Sequence, residues 1–213
     1  MKIKICGLTR VEEAAYLNQY QVDFAGFVLF YPKSKRNITI EQAEMIAQAL
    51  DMAVKRVAVV VSPSLQQIRQ IEASAARFDY IQVHGALPGE LLEQFQLPVL
   101  RAFNVMDMGN YSFYHASDKV SGYVFDAAEP GSGKTFDWNL VSQIPRDGKL
   151  FLLAGGLNPG NVWEAASILC PDGVDVSSGV EYEDKPGKDP EKIQRFVQNS
   201  RKVTIHGCSN HYA

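Results

Sequence analysis

Eight short runs of apolar, largely β-branched residues recur along the chain, and this repetition constrains the fold more than any other feature. The runs are Ile3–Cys6, Val22–Leu29, Arg56–Val61, Tyr80–His84, Val99–Phe103, Tyr123–Asp126, Leu150–Ala154 and Val174–Ser177. Most are nearly continuous in apolar character instead of alternating, which suits strands buried on both faces of a parallel sheet. Stretches of helical period lie between them. Ile40–Leu50 sets Ala43, Ile46, Ala47 and Leu50 on one face, Leu65–Ala75 groups Leu65, Ile68 and Ile71, and Ile193, Phe196 and Val197 form the last such stripe. The fifth helical segment, Asp107–Asp118, is weak because it is aromatic and polar with a glycine inside. Helix starts are predicted at Thr9, which has Glu12 at capping-box spacing, and at Ser62-Pro63 and Asn158-Pro159, where an N-cap precedes a proline. Strands alternating with helices imply parallel βαβ units. Eight such units in 213 residues favour closure into a single (β/α)8 TIM barrel over an open doubly wound sheet. The barrel domain is expected over residues 1–202, with residues 203–213 as a tail outside the eight units.

Composition excludes some classes of partner. Hydrophobic residues make up 46% and charged residues 21%, with a formal net charge of −3. No basic surplus points to nucleic acid or an anionic membrane, so an anionic ligand must be held by a local site. No apolar stretch approaches the roughly 18 residues of a membrane span, and the N-terminal MKIKICGLTR lacks the apolar run of a signal peptide. Three cysteines, Cys6, Cys170 and Cys208, argue against a disulfide framework and for a reducing compartment. The expectation is a cytoplasmic protein. His206, Cys208 and His211 sit in the tail, which offers no preformed scaffold for a metal, and no metal site is expected.

In a closed α/β barrel the active site lies at the carboxyl ends of the strands. That rule selects Cys6-Gly7, His84-Gly85, Asp126, Gly155-Gly156 and Ser177-Ser178-Gly179. Loops after the seventh and eighth strands usually cradle a phosphate in this fold, and their glycines let backbone N–H groups approach a ligand closely. Cys6, placed at a strand end, is a candidate base if its thiol is ionised, and Lys4 lies two residues earlier on the same side of the strand. Cys170, late in a helix, reads as structural. Asp126 closes an apolar strand, where a carboxylate is seldom a packing choice; it serves either chemistry or a hydrogen bond to a neighbouring loop. Arg36 lies in the basic loop Tyr31–Arg36, which reads equally as a solvated charge run or as a clamp for a planar anion. A supporting role suits His84.

Together these segments resemble the phosphoribosylanthranilate isomerase family of tryptophan biosynthesis. The matching motifs are KICGLTR at Lys4–Arg10, GFVLFYPKSKR at Gly26–Arg36, QVHG at Gln82–Gly85, FDAAEPGSGKTFDW at Phe125–Trp138, LAGGLNPGNV at Leu153–Val162 and GVDVSSGVE at Gly173–Glu181. They occur in the family's order and span nearly the whole chain before the tail. The resemblance implies an Amadori rearrangement with Cys6 as general base, Asp126 as general acid and Arg36 on the anthranilate carboxylate. Gly155, Gly156, Ser177, Ser178 and Gly179 would hold the phosphate, and His84 and Asp175 would complete the substrate-binding set. It implies no cofactor, a phosphorylated small-molecule substrate, and a monomer or homodimer. The chain departs from the family in its third strand, Val57–Val61, where a phenylalanine is frequent. Two rivals remain at this stage. One is the related aminoaldose isomerase of histidine biosynthesis, disfavoured because Cys6 stands where that family has an aspartate. The other is a non-catalytic phosphosugar-binding barrel, disfavoured by the joint presence of Cys6, Asp126 and Arg36.

Overall fold

The computed structural model describes residues 1–104, 111–126 and 147–203. Eight strands carry the architecture: β1 (Lys2–Cys6), β2 (Phe24–Leu29), β3 (Lys55–Val61), β4 (Tyr80–His84), β5 (Val99–Asn104), β6 (Val120–Asp126), β7 (Leu150–Ala154) and β8 (Gly173–Val176). Each pairs in parallel with its sequence neighbours, and β1 pairs with β8 as well as β2, which closes the barrel. A two-residue strand, Asn37–Ile38, adds to the outer edge of β2. Among the described residues the helices are α1 (Glu12–Gln19), α2 (Ile40–Gln48), α3 (Leu65–Glu72), α4 (Gly89–Leu92), α5 (Tyr111–His115), α6 (Val162–Leu169) and α7 (Pro190–Arg201). Of the weak fifth helical segment, Tyr111–His115 is helical; residues 105–110 of that segment lie outside the described residues. The tail residues His206, Cys208 and His211 lie outside them too. No helix among the described residues is long and apolar enough to cross a membrane.

The near-continuous apolar runs arise because each strand is sandwiched. Side chains alternate along a strand with period two. One set, including Ile3, Ile5, Ala25, Phe27, Phe125 and Val174, packs outward under the helices. The other, including Cys6, Phe24, Val57, Val59, Leu100, Val124 and Leu152, fills the barrel. Among these inward neighbours sit polar groups with almost no exposure: Lys4, Gln82 and Asp175. Such residues need partners, and they mark where the interior serves something other than packing.

Three of the expected helix starts differ in detail. Helix α1 has no side-chain cap at Val11; instead the Glu13 carboxylate accepts from the N–H groups of Thr9 (2.7 Å) and Arg10 (3.1 Å). Glu13, not Glu12, does this because its other oxygen also accepts from the N–H of Lys188 at 2.7 Å, tying the β1 loop to the β8 loop. Helix α3 is capped by Ser64 in a capping box with Gln67. Ser62 is committed elsewhere: it sits at φ +46° and its Oγ accepts from Ala86 N–H at 2.8 Å. Asn158 forms a turn, accepting from Gly160 N–H at 2.8 Å, and α6 begins only at Val162. Cys170 closes α6 in the left-handed region (φ +46°), and Cys6 is a free thiol.

Candidate active site

Cys6 ends β1 and faces the barrel interior beside Lys4. Across the β1–β8 seam, Lys4 Nζ donates to Asp175 Oδ2 at 2.9 Å, both side chains being buried. Gly26 makes room for this group: it lies opposite Cys6 in the β1–β2 register, and a Cβ there would stand 2.9 Å from Cys6 Sγ and 3.1 Å from Lys4 Nζ. Burial pulls the Lys4 ammonium toward neutrality, but Asp175 and Cys6 outweigh it and raise its pKa. Burial also dominates at Cys6, pushing the thiol up although Lys4 and Lys188 pull it down. The expected lowering of the thiol by Lys4 is therefore overcome by desolvation in the free protein. Burial likewise pushes Asp175 up against the pull of Lys4. Its second oxygen, Oδ1, is buried without a hydrogen-bond partner, an unmet acceptor that a ligand hydroxyl could satisfy.

The basic loop after β2 does not simply point into solvent. Arg36 Nε donates to Glu181 Oε1, and Lys35 Nζ meets Glu181 Oε2 at 2.7 Å. Lys188, only 1% exposed, reaches the same carboxylate (3.3 Å) and donates to the Ser177 carbonyl (3.1 Å). Burial would raise the Glu181 pKa, yet hydrogen bonds from Arg36 and Lys35 hold it at about 2. Burial lowers that of Lys188 despite Glu181. Gly7, at φ +79°, lets Arg36 lie flat on the β1 loop; a Cβ there would be 2.4 Å from Arg36 Cδ. These residues line a cavity of about 370 Å³. Sequence reasoning missed Glu181 and Lys188 as site residues. The signals were their place just after the eighth strand and, for Glu181, its position at the end of the motif GVDVSSGVE.

The β7 and β8 loops adjoin this cluster. Gly155 (φ +90°) and Gly156 (φ +65°) take left-handed turns that glycine adopts without steric penalty. The Gly156 carbonyl is pinned by Asn161 Nδ2 at 3.0 Å. Gly179 touches the neighbouring loop so closely that a Cβ would lie 2.0 Å from the Leu157 carbonyl oxygen. Ser177 Oγ donates to the Cys6 carbonyl at 2.9 Å, and Ser178 and Gly179 form a short 3₁₀ turn. The N–H groups of Gly156, Ser178 and Gly179 make no hydrogen bond to the backbone among the described residues. Clustered free N–H groups of this kind favour an anion.

His84 and Asp126 stand on the other side of the mouth and line a second cavity of about 700 Å³ with Arg101 and Asn104. Burial, with the positive charges of Lys4 and Arg101, lowers the His84 pKa to about 4, so its imidazole is neutral near pH 7. Gln82 Nε2 lies 2.8 Å from His84 Nε2; as an amide donor it requires that nitrogen to accept, leaving the proton on Nδ1. Asp126 ends β6 in register with Asn104 on β5 and Ala154 on β7. The rest of its motif, residues 127–138, lies outside the described residues.

Comparison with known proteins gives a consistent result. The chain matches the family described as N-(5'phosphoribosyl)anthranilate (PRA) isomerase over residues 3–199. Relatives named N-(5'-phosphoribosyl)anthranilate isomerase include that of Streptococcus gordonii, 40% identical over 199 residues covering 92% of this chain and 96% of that protein. Another, from Clostridium kluyveri, is 39% identical over 207 residues, covering 95% and 99%. The solved phosphoribosyl anthranilate isomerase of Thermotoga maritima, also described as dimeric, superposes with a TM-score of 0.84 at 36% identity, covering 95% of this chain and all of that one. A similar structure in complex with reduced 1-(o-carboxyphenylamino)-1-deoxyribulose 5-phosphate gives a TM-score of 0.81 at 34% identity, with the same coverage. Likeness that holds in sequence and in structure from the first strand to the last helix means that this chain belongs to the N-(5'-phosphoribosyl)anthranilate isomerase family.

Proposed function

We propose a division of labour for the reaction this family catalyses, the Amadori rearrangement of N-(5-phosphoribosyl)anthranilate to 1-(o-carboxyphenylamino)-1-deoxyribulose 5-phosphate in tryptophan biosynthesis. Asp126, as the acid, donates a proton to the furanose ring oxygen, and the C1–O bond breaks to give an open-chain iminium. The cationic nitrogen acidifies the C2 proton, which the Cys6 thiolate removes to leave an enolamine. Protonation at C1, with loss of the proton of the C2 hydroxyl, then yields the ketone. The nitrogen serves as the electron sink and no electrons leave the substrate, so the chemistry calls for no cofactor. Arg36 takes the aryl carboxylate, the backbone of Gly155, Gly156, Ser178 and Gly179 with Ser177 takes the phosphate, and Asp175 Oδ1 accepts from a sugar hydroxyl. His84, neutral, is a supporting contact. Holding both ends of the substrate fixes C1 and C2 between acid and base.

The observation that carries this reading is the shared chamber of Cys6 and Lys4: a free thiol at the strand end, beside a buried ammonium, with space for both only because residue 26 is glycine. A substrate that brings an iminium charge beside the thiol favours the thiolate, against the burial that raises its pKa in the free protein. The same proposal includes action on a phosphorylated small molecule without nucleic acid or membrane, as a monomer or homodimer in the cytoplasm. Growth of a tryptophan auxotroph lacking this isomerase, restored by the wild-type chain and not by Cys6→Ala or Asp126→Asn, is the expected result. Restoration by both variants would remove the acid–base assignment while leaving the reaction intact.

A further inference from the structure

The Glu181 carboxylate does more than neutralise charge. Its mount is rigid: Glu181 and Lys188 form an antiparallel bridge across the loop after β8, and the Glu181 carbonyl accepts from Lys192 Nζ at 3.1 Å. From that mount it reaches the β2 loop, far away in sequence, and takes Arg36 through Nε. That choice of nitrogen matters. A guanidinium binds a carboxylate in bidentate fashion through a pair of N–H groups, and occupation of Nε by Glu181 leaves the Nη1–Nη2 edge as the available fork. Neither Nη makes a hydrogen bond among the described residues, and the side chain keeps 23% of its exposure. Gly7 supports the guanidinium stem from below. Three cations, Lys35, Arg36 and Lys188, surround the one carboxylate, so the cluster retains positive charge for an incoming anion.

We propose that Glu181 is a positioning residue: by accepting the Nε–H of Arg36 it turns the Nη edge toward the cavity, where that edge binds the substrate's aryl carboxylate. The proposal rests on the reading of Arg36 as the carboxylate clamp. Glu181 itself touches no reacting atom, and its removal acts through Arg36 on binding. Loss of a preset orientation at a charge-assisted contact should weaken binding by roughly tenfold.

The test compares two probes: the reduced product analogue and its counterpart lacking the aryl carboxylate. Glu181→Ala should raise KM and the Kd of the carboxylate-bearing analogue by roughly tenfold, with kcat within a few-fold and the affinity of the carboxylate-free analogue unchanged. Glu181→Gln, whose amide oxygen still accepts from Nε, should recover much of the loss and serves alone if the alanine variant fails to fold. In an Arg36→Met background neither substitution should add to the defect. Equal weakening of both analogues, or an undiminished effect in the Arg36→Met background, overturns the positioning role. If Arg36→Met itself leaves the preference for the carboxylate-bearing analogue intact, the clamp reading fails. If that preference is lost in Arg36→Met but kept in both Glu181 variants, only the present inference fails.

Discussion

The two sides of the barrel mouth handle charge differently. Around β1, β2 and β8 the buried acids and bases have opposite charges within reach: Lys4 meets Asp175, and Lys188 and Arg36 meet Glu181. Around β4, by contrast, burial lowers His84 to a pKa of about 4 and leaves it neutral. Desolvation acts on both sides. What differs is the supply of counter-charge within reach: partners outweigh burial at Lys4 and Glu181 and oppose it without overcoming it at Asp175 and Lys188, whereas the charges near His84 are cations that add to it. The first side pairs its charges around the thiol; on the second, the neutral imidazole offers hydrogen bonds.

The strongest way to break this contrast is to remove the thiol. Cys6→Ala should lower kcat by on the order of 100-fold or more while leaving the affinity for the reduced product analogue within a few-fold; half-normal turnover would exclude Cys6 as the base. Because the free-enzyme thiol lies above its ordinary value, the thiolate fraction grows as pH rises. The kcat/KM of the wild type should therefore climb from neutrality past about pH 8.5, the usual thiol range. A profile that levels off near pH 7 would show that Lys4 and Lys188 win over burial after all.

Arg36→Met should come next. A charge-assisted hydrogen bond contributes about 1.5–3 kcal/mol, so KM should rise roughly 10- to 150-fold with a smaller change in kcat. An unchanged KM would return the loop to the status of a solvated basic segment. Gly26→Ala probes the crowding between Lys4 and Cys6. The added methyl meets Sγ at 2.9 Å and Nζ at 3.1 Å, and overpacking of this kind costs about 1–3 kcal/mol, measurable as a lower denaturant midpoint together with reduced kcat. A variant as stable and active as wild type would show that the chamber has slack. The smallest effect is expected at the neutral imidazole: His84→Gln should lower kcat/KM by only a few-fold and leave the pH profile between 5 and 8 unaltered in shape. A new or missing limb in that range would mean that His84 titrates during turnover.

Much of this could be read before the structure. The eight strands were legible because burial on both faces writes itself as unbroken apolar runs, and the candidate residues followed from the rule that strand ends face the site. Lys4 was legible by its spacing from Cys6. The caps at Ser62 and Asn158 were misplaced because a serine or asparagine before proline suits a tight turn as well as an N-cap. Here the β4 loop and the chain's own turn claimed those side chains. Lys188 was invisible for a different reason, and Glu181, though it ends the motif GVDVSSGVE, gave no sign of its partner Arg36. Glutamate, aspartate and lysine around Pro186-Gly187 look like a solvated loop, whereas Lys188 lies buried where Glu13, 175 positions away, receives its N–H. No local pattern encodes that.

That contact is one of several along the β1–β8 seam. Lys4–Asp175, Ser177–Cys6 and Glu13–Lys188 each join residues more than 170 positions apart. Contacts of such separation demand the costliest loop closure and form late in folding. The thiol's ammonium neighbour has its counter-ion only once the first strand has met the last. A refolding chain with its seam still open would hold most of its secondary structure and yet be inert. Recovery of turnover should thus trail recovery of far-ultraviolet circular dichroism, making catalysis itself a reporter of the final closure step.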